Sequence, residues 1–271
     1  MKKLLLTDLD DTLLCTDKSI SEGNRRAIEE MLAAGHYFAI CTGRSLTGGM
    51  KVAKQLELNR KHCYLICYQG NMIYDLYEQK VLYEHFMDAS EAVALMKMLS
   101  EADIYNHTYH RGELLIPRET EEFRNYRGIS GDDYKVFASV DDLKSEQLYK
   151  VISIDYQDPA RLQKFCDEHQ AYLDARFHYF FSSPYFLEFI GLDSGKGVGG
   201  LKLADLLGVD QGDVIACGDE RNDISMIEAA GLGVCMCNGH EEVKAHADYI
   251  TNNDNNHDGM KEVIDRFILM K

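Results

Sequence analysis

Three leucines, Leu4 to Leu6, run straight into Thr7-Asp8-Leu9-Asp10-Asp11-Thr12, and this junction limits the folds open to the chain more than any other segment. So short an unbroken apolar run reads as a strand buried on both faces, and strands of that kind belong to parallel sheets covered by helices. The carboxylates at its end then fall at the C-terminal edge of the sheet, where open α/β folds bind their ligands. The run is read as the central strand. The same junction argues against a secretory start, because Asp8, Asp10 and Asp11 interrupt the apolar stretch that Met1-Lys2-Lys3 introduces.

The pattern that follows alternates strand and helix. Ser21 precedes a helix with Ala27, Ile28, Met31 and Leu32 on one face, stopped by Gly35; Tyr37–Cys41 is a second strand ending at Thr42-Gly43-Arg44. A helix over 45–57 and a strand over 63–68 continue the alternation, which implies a parallel sheet with right-handed crossovers. From about residue 83 the texture changes. Acidic helix candidates at 89–102 and 158–170 surround aromatic-rich segments at 150–156 and 177–191, as in an inserted α+β domain. After Gly195-Lys196 the first texture returns, with a helix to about Leu207, a strand over 214–217, a helix from about Asp223 to Ala230 and a strand over 233–237. The expected architecture is an α/β, Rossmann-like parallel-sheet core formed by residues 1–82 and 190–271, with an α+β domain over 83–189. A length of 271 residues, at roughly 150 per domain, agrees with two.

Composition narrows the partners. Lys and Arg number 29 against 45 Asp and Glu, a net charge of −16, which argues against nucleic acid or acidic lipid as a partner. No stretch approaches the roughly 18 apolar residues that span a bilayer, so no membrane partner is expected. The eight cysteines are scattered rather than dense, which fits a reducing cytoplasm better than a disulfide framework. No obligate protein partner is evident.

Acidic residues concentrate at two strand ends, Asp8-Leu9-Asp10-Asp11-Thr12 and Gly218-Asp219-Glu220-Arg221-Asn222-Asp223. Carboxylates crowded together repel, and a hard cation resolves the repulsion; oxygen ligands alone suit Mg2+. Either cluster by itself could be a solvated turn, but both close apolar strands.

These residues resemble the haloacid dehalogenase (HAD) superfamily of phosphohydrolases. Asp8-Leu9-Asp10-Asp11-Thr12 is similar to its first motif, Thr42-Gly43 to its second, Lys196 to its third and Gly218 to Asp223 to its fourth, in order and each after the expected element. The insert between the second and third motifs resembles that of the Cof-type subfamily, whose caps are α+β domains of the C2B kind. Two departures stand out. Asp11 replaces the Gly common after the second Asp, and Gln69-Gly70-Asn71 stands where many members read Asn-Gly-Ala.

The resemblance implies a Mg2+-dependent phosphatase acting on a small phosphorylated metabolite, such as a sugar phosphate. It implies Asp8 as nucleophile, through an aspartyl-phosphate, and Asp10 as general acid and then base. For that second role Asp10 is expected to have a raised pKa. The metal would be held by Asp8, the Asp10 carbonyl and Asp219, with Asp223 ordering its waters. Leu9, Thr42, Gly43, Lys196 and Asn222 would meet the phosphoryl oxygens, helped by a helix N-terminus. The same intermediate could instead pass to a second hydroxyl, as in a phosphotransferase or phosphomutase; a non-catalytic phosphometabolite binder is opposed by the presence of both Asp8 and Asp10.

Other residues read more plainly. Cys235-Met236-Cys237 is expected to be a buried strand with core thiols, since no second cysteine pair stands at zinc-ribbon spacing. His107 and His110 are expected on a polar surface or substrate-facing loop, 252–258 as a simple turn, and Phe177 to Phe181 in the sheet of the inserted domain. Arg44 and Arg221 are as well explained by surface ion pairs as by steering of an anion.

Overall fold

A computed structural model describes residues 2–271. The chain divides into two compact units. One comprises residues 1–43, 49–84 and 195–271, of which Met1 is outside the description; the other comprises Arg44–Gly48 and His85–Ser194.

The first unit opens with strand β1 (Leu4–Thr7), every residue of it buried, followed by an irregular turn over Leu9–Leu13 in which Asp10 and Asp11 leave helical geometry. Helix α1 (Glu22–Ala33) starts where Ser21 accepts a hydrogen bond from the Asn24 amide, and it buries Ala27, Ile28, Met31 and Leu32. Strand β2 (Tyr37–Cys41), helix α2 (Leu46–Gln55) and strand β3 (Cys63–Cys67) follow. The expected alternation then breaks: strand β4 (Met72–Asp75) pairs antiparallel to β3, and β5 (Lys80–Glu84) pairs antiparallel to β4 at the sheet edge. The parallel reading therefore needs correction at one edge. The turn between the two strands is short, and the Asp75 carboxylate ties it by accepting from the amides of Tyr77 and Glu78, both at 2.9 Å.

In the second unit, helix α3 (Ala89–Glu101) leads to strands β6 (Tyr105–His110) and β7 (Glu113–Ile116), helix α4 (Glu121–Ser130) and strand β8 (Asp133–Val136). Strand β9 (Val151–Ile154), helix α5 (Ala160–Asp174) and the hairpin of β10 (Phe177–Ser183) and β11 (Phe186–Gly191) complete it. Its six strands run β10-β11-β9-β6-β7-β8, antiparallel except for β7 and β8. Leu95, Leu99, Val151, Leu162, Phe165, Leu187 and Phe189 share its apolar core. His107 is not on a surface: it is 0% exposed on β6, packed 4.7 Å from the Tyr126 ring. Flanking aromatics cover it, which its polar side chain conceals in the sequence.

The chain returns to the first unit through α6 (Lys196–Leu207), β12 (Val214–Gly218), α7 (Ile224–Ala229) and β13 (Leu232–Cys235), then α8 (Glu241–Lys244), β14 (Tyr249–Ile250) and α9 (Gly259–Val263). The sheet order is β14-β13-β12-β1-β2-β3-β4-β5, parallel from β14 to β3. This is the Rossmann-like α/β core, with β1 at its centre. Gly70 closes the turn after β3 with φ +98, and a Cβ there would lie 2.0 Å from the Gly195 carbonyl oxygen, so only glycine lets this turn meet the start of α6.

Candidate active site

Three parallel strands end side by side: β12, β1 and β2. Asp8 follows β1, its amide donating to the Cys217 carbonyl at 2.9 Å, so the strand pairing itself carries the residue to the sheet edge. Asp11 takes a left-handed φ of 58 in the turn beyond, and Asn238 Nδ2 donates to its carbonyl at 2.8 Å. After β12, the Asp223 carboxylate folds back and accepts from the amides of Asp219 and Glu220 at 3.0 and 3.1 Å. That closure requires Gly218, where a Cβ would lie 2.4 Å from the Asp223 side chain.

The carboxylates of Asp8, Asp219 and Asp223 offer oxygens that all lie within 4.8 Å of one another. Lys196, the first residue of α6, puts Nζ 2.5 Å from both Asp8 Oδ1 and Asp223 Oδ1, with only 1% of its side chain exposed. Thr12 donates its hydroxyl to Asp219 Oδ1 at 2.6 Å. The electrostatics follow from enclosure. Burial, opposed by Lys196 and reinforced by Asp223 and Asp10, pushes the Asp8 carboxyl up to about 7. Burial together with Asp8 and Asp223 pushes Asp219 up to about 8, with Thr12 pulling the other way. Burial works against the Lys196 charge, but Asp223 and Asp8 outweigh it and hold its ammonium above the ordinary lysine range.

Of the residues singled out in the sequence, Asp8, Lys196, Asp219 and Asp223 meet directly. Thr42 is buried after β2, its amide donating to the Ile66 carbonyl at 2.8 Å. Gly43 lies against the Gln69 side chain, whose amide nitrogen is 2.3 Å from where a Cβ would stand. Asn222 Nδ2 is 3.5 Å from Gln69 Oε1 on the other side. Gln69 thus bridges Gly43 and Asn222, a role the sequence signals only as a departure at the end of the third strand. Asp10 lies at the more open side of the cluster: its charge reaches Asp8, and its Oδ1 accepts from Lys18 Nζ at 2.9 Å, both side chains being partly exposed. Lys18 was not anticipated either. Arg221 donates to Glu242 at 2.7 Å, an ordinary surface ion pair. The 252–258 segment is more than a turn, since Asn255 is buried and donates to the Leu14 carbonyl at 3.0 Å. Cys235 and Met236 are buried as expected, though the strand stops at Cys235 and Cys237 is partly exposed.

Fold and site together define an α/β protein whose parallel sheet gathers buried carboxylates around a single ammonium at its carboxyl edge. Residues 5–264 match the haloacid dehalogenase-like hydrolases, and the chain belongs to that family. It is 31% identical to the 5-amino-6-(5-phospho-D-ribitylamino)uracil phosphatase YcsE of Bacillus subtilis, over 98% of this chain and 96% of that protein. It is 29% identical to YitU, a phosphatase of the same name from the same organism, over 92% of this chain and 91% of that one. A haloacid dehalogenase-like hydrolase from Bacteroides thetaiotaomicron superposes with a TM-score of 0.84 at 27% identity, covering 99% of this chain and 100% of that one. The protein is a phosphatase of this family, with a Rossmann-like core and a cap domain.

Proposed function

We propose that the protein is a Mg2+-dependent phosphatase that hydrolyses small phosphomonoesters, sugar phosphates or similar metabolites, through an aspartyl-phosphate on Asp8. The observation that carries this reading is the charge of the buried cluster. Three carboxylates and one ammonium leave two negative charges, and without a cation the site compensates by raising the proton affinity of Asp8 and Asp219. One hard dication with oxygen ligands satisfies the same deficit, so the donor set fits magnesium. Asp8, the Asp10 carbonyl and Asp219 would hold it, with Asp223 setting the loop that presents Asp219. Bound there, it would neutralise the phosphoryl oxygens as the ester is attacked.

The side chains supply the rest. Asp8 attacks phosphorus while the ester P–O bond breaks, and Asp10 gives its proton to the departing alkoxide. Asp10 then takes a proton from water, which attacks the same phosphorus and releases phosphate and Asp8. Lys196 keeps Asp8 ionised and oriented for in-line attack. Thr42, the Gly43 and Leu9 amides, and Asn222 bind the equatorial oxygens.

We further read the core, close to residues 1–82 and 190–271, as the part carrying the chemistry, and the insert, close to 83–189, as the part selecting the substrate. Relatives named for a phosphorylated ribityl chain support a small polyol-like ester. Among the described residues no helix is long and apolar enough to cross a membrane, and the eight cysteines stand as thiols rather than disulfides, which supports a reducing cytoplasm.

The test is phosphate release from a panel of phosphomonoesters, with magnesium and with EDTA, by the wild type and by Asp8→Asn. Metal-dependent release by the wild type, with a loss of at least about 10³-fold in the variant, is expected for removal of a nucleophile. Unchanged turnover in Asp8→Asn would overturn the assignment.

A further inference from the structure

Beyond Gly43 the chain does something the mechanism above does not use. Residues Thr42 and Gly43 belong to the first unit, the next five, Arg44–Gly48, group with the second, and α2 continues in the first from Gly49. Ser45 is the fixed point of this excursion. Its hydroxyl oxygen accepts from the Gly48 amide at 3.1 Å, capping α2. The same hydroxyl donates to Asp132 Oδ1 at 2.6 Å. Ser45 is 3% exposed and Asp132 only 1%.

A carboxylate that deeply buried is costly unless its oxygens are satisfied. Asp132 Oδ2 accepts from the Tyr109 hydroxyl at 3.2 Å, and the Tyr109 and Tyr126 hydroxyls lie 2.7 Å apart. Burial drives both phenols well above their usual range, so they remain protonated. Arg127 Nε donates to the Asp132 carbonyl at 3.3 Å and fixes the backbone. Capping α2 needs only the lone pair of Ser45. What Asp132 adds is direction: a hydroxyl that must donate to one side and accept from the other has a single orientation, and so does the backbone that carries it.

We propose that Asp132 is a positioning residue for the phosphate site: through Ser45 it anchors the chain two residues beyond Gly43 and thereby sets where Thr42 and Gly43 meet the phosphoryl group. Asp132 touches neither substrate nor reacting atoms. The inference rests on the functional reading above, in which Thr42 and Gly43 bind phosphate.

The test compares Ser45→Ala and Asp132→Ala with Ser45→Thr and Asp132→Asn. The last two keep the hydroxyl and its acceptor. Each is measured for kcat and KM on the best ester, for competitive inhibition by inorganic phosphate, and for its urea midpoint. A displaced phosphate loop costs on the order of 10- to 100-fold in kcat/KM, so both alanine variants should lose that much and should weaken phosphate inhibition about tenfold. Ser45→Thr and Asp132→Asn should stay within about threefold of wild type, since both retain the bond. A purely structural role would lower the urea midpoint while leaving the phosphate inhibition constant of the folded enzyme where it was, and that result would overturn the proposal. So would equal losses in Asp132→Ala and Asp132→Asn. If Asp132→Ala does not fold, Asp132→Ser takes its place, since it withdraws the acceptor and leaves the Ser45 cap on α2. A wild type that releases no phosphate from any ester refutes the functional reading; an active wild type matched by Ser45→Ala refutes only this inference.

Discussion

Lys196→Met is the substitution on which the electrostatic account of the site depends most directly. The side chain is 1% exposed and its ammonium touches two carboxylates at 2.5 Å. At that separation each contact is worth about 7 kcal/mol with an effective dielectric near 20, but dehydrating the ammonium costs several kcal/mol in return. Methionine preserves the stem and its packing, so the measured loss is that of leaving Asp8 and Asp223 buried without their cation. Breaking a buried pair from one side costs about 3–5 kcal/mol, and that is the loss expected in urea denaturation at pH 8 with EDTA. Because Asp8 accepts one of the two contacts, the same substitution should cost about 2 kcal/mol less in an Asp8→Asn background. The penalty should also shrink at pH 5.5, where Asp8, already pushed up to about 7 with Lys196 present, takes a proton and no longer needs the ammonium. A loss under about 1 kcal/mol at pH 8, or the same loss with and without Asp8, would refute the reasoning.

Asp8→Asn should itself stabilise the metal-free protein at pH 8. The folded-state pKa of Asp8 lies near 7 against an ordinary 3.8, so between those values the native state holds the proton longer than the unfolded chain, and stability falls as pH rises through the window. A gain of about 2 kcal/mol at pH 8, fading towards pH 4 and followed by thermal unfolding in EDTA, is expected; no gain would place the cost of the site elsewhere. In the second unit, Lys150 and Glu188 pair at 2.8 Å with side chains 2% and 7% exposed. Lys150→Met alone should cost about 3–5 kcal/mol, and adding Glu188→Leu should recover most of it; urea denaturation of both variants checks the pair.

Much of the fold is readable because its strands are buried on both faces. Leu4–Leu6, Tyr37–Cys41 and the run at Cys63 carry no competing period, so they identify themselves as strands of a parallel sheet. The edge hairpin escapes for the opposite reason. Lys80 to Glu84 is largely exposed and alternates too weakly to announce a strand. His107 escapes because tyrosines on either side of it, Tyr105 and Tyr109, point to the same face of β6 and bury it. The sequence shows only polar groups there.

The site divides along the same line. Asp8, Thr42, Lys196 and Asp219 each follow or open a regular element, and position alone carries them to the sheet edge. Lys18 and Asn255 have their places fixed by loop geometry and by groups far along the chain, as with Asn255 and the Leu14 carbonyl, and nothing local marks them; Gln69 shows only as a departure after the third strand. The count of charges shows how much this matters. The two acidic clusters contain Asp8, Asp10, Asp11, Asp219, Glu220 and Asp223, six carboxylates whose spacing alone does not say which share an environment. Enclosure separates them. Asp10 meets Lys18 near solvent and Glu220 is exposed, whereas Asp8, Asp219 and Asp223 bring oxygens within 4.8 Å of one another, two of the three paired with Lys196. Six minus one would call for no particular ion. Three minus one leaves a deficit of two in a nearly dry space, and either two protons or one divalent cation can fill it, so binding of such a cation there would be linked to proton affinity and to stability.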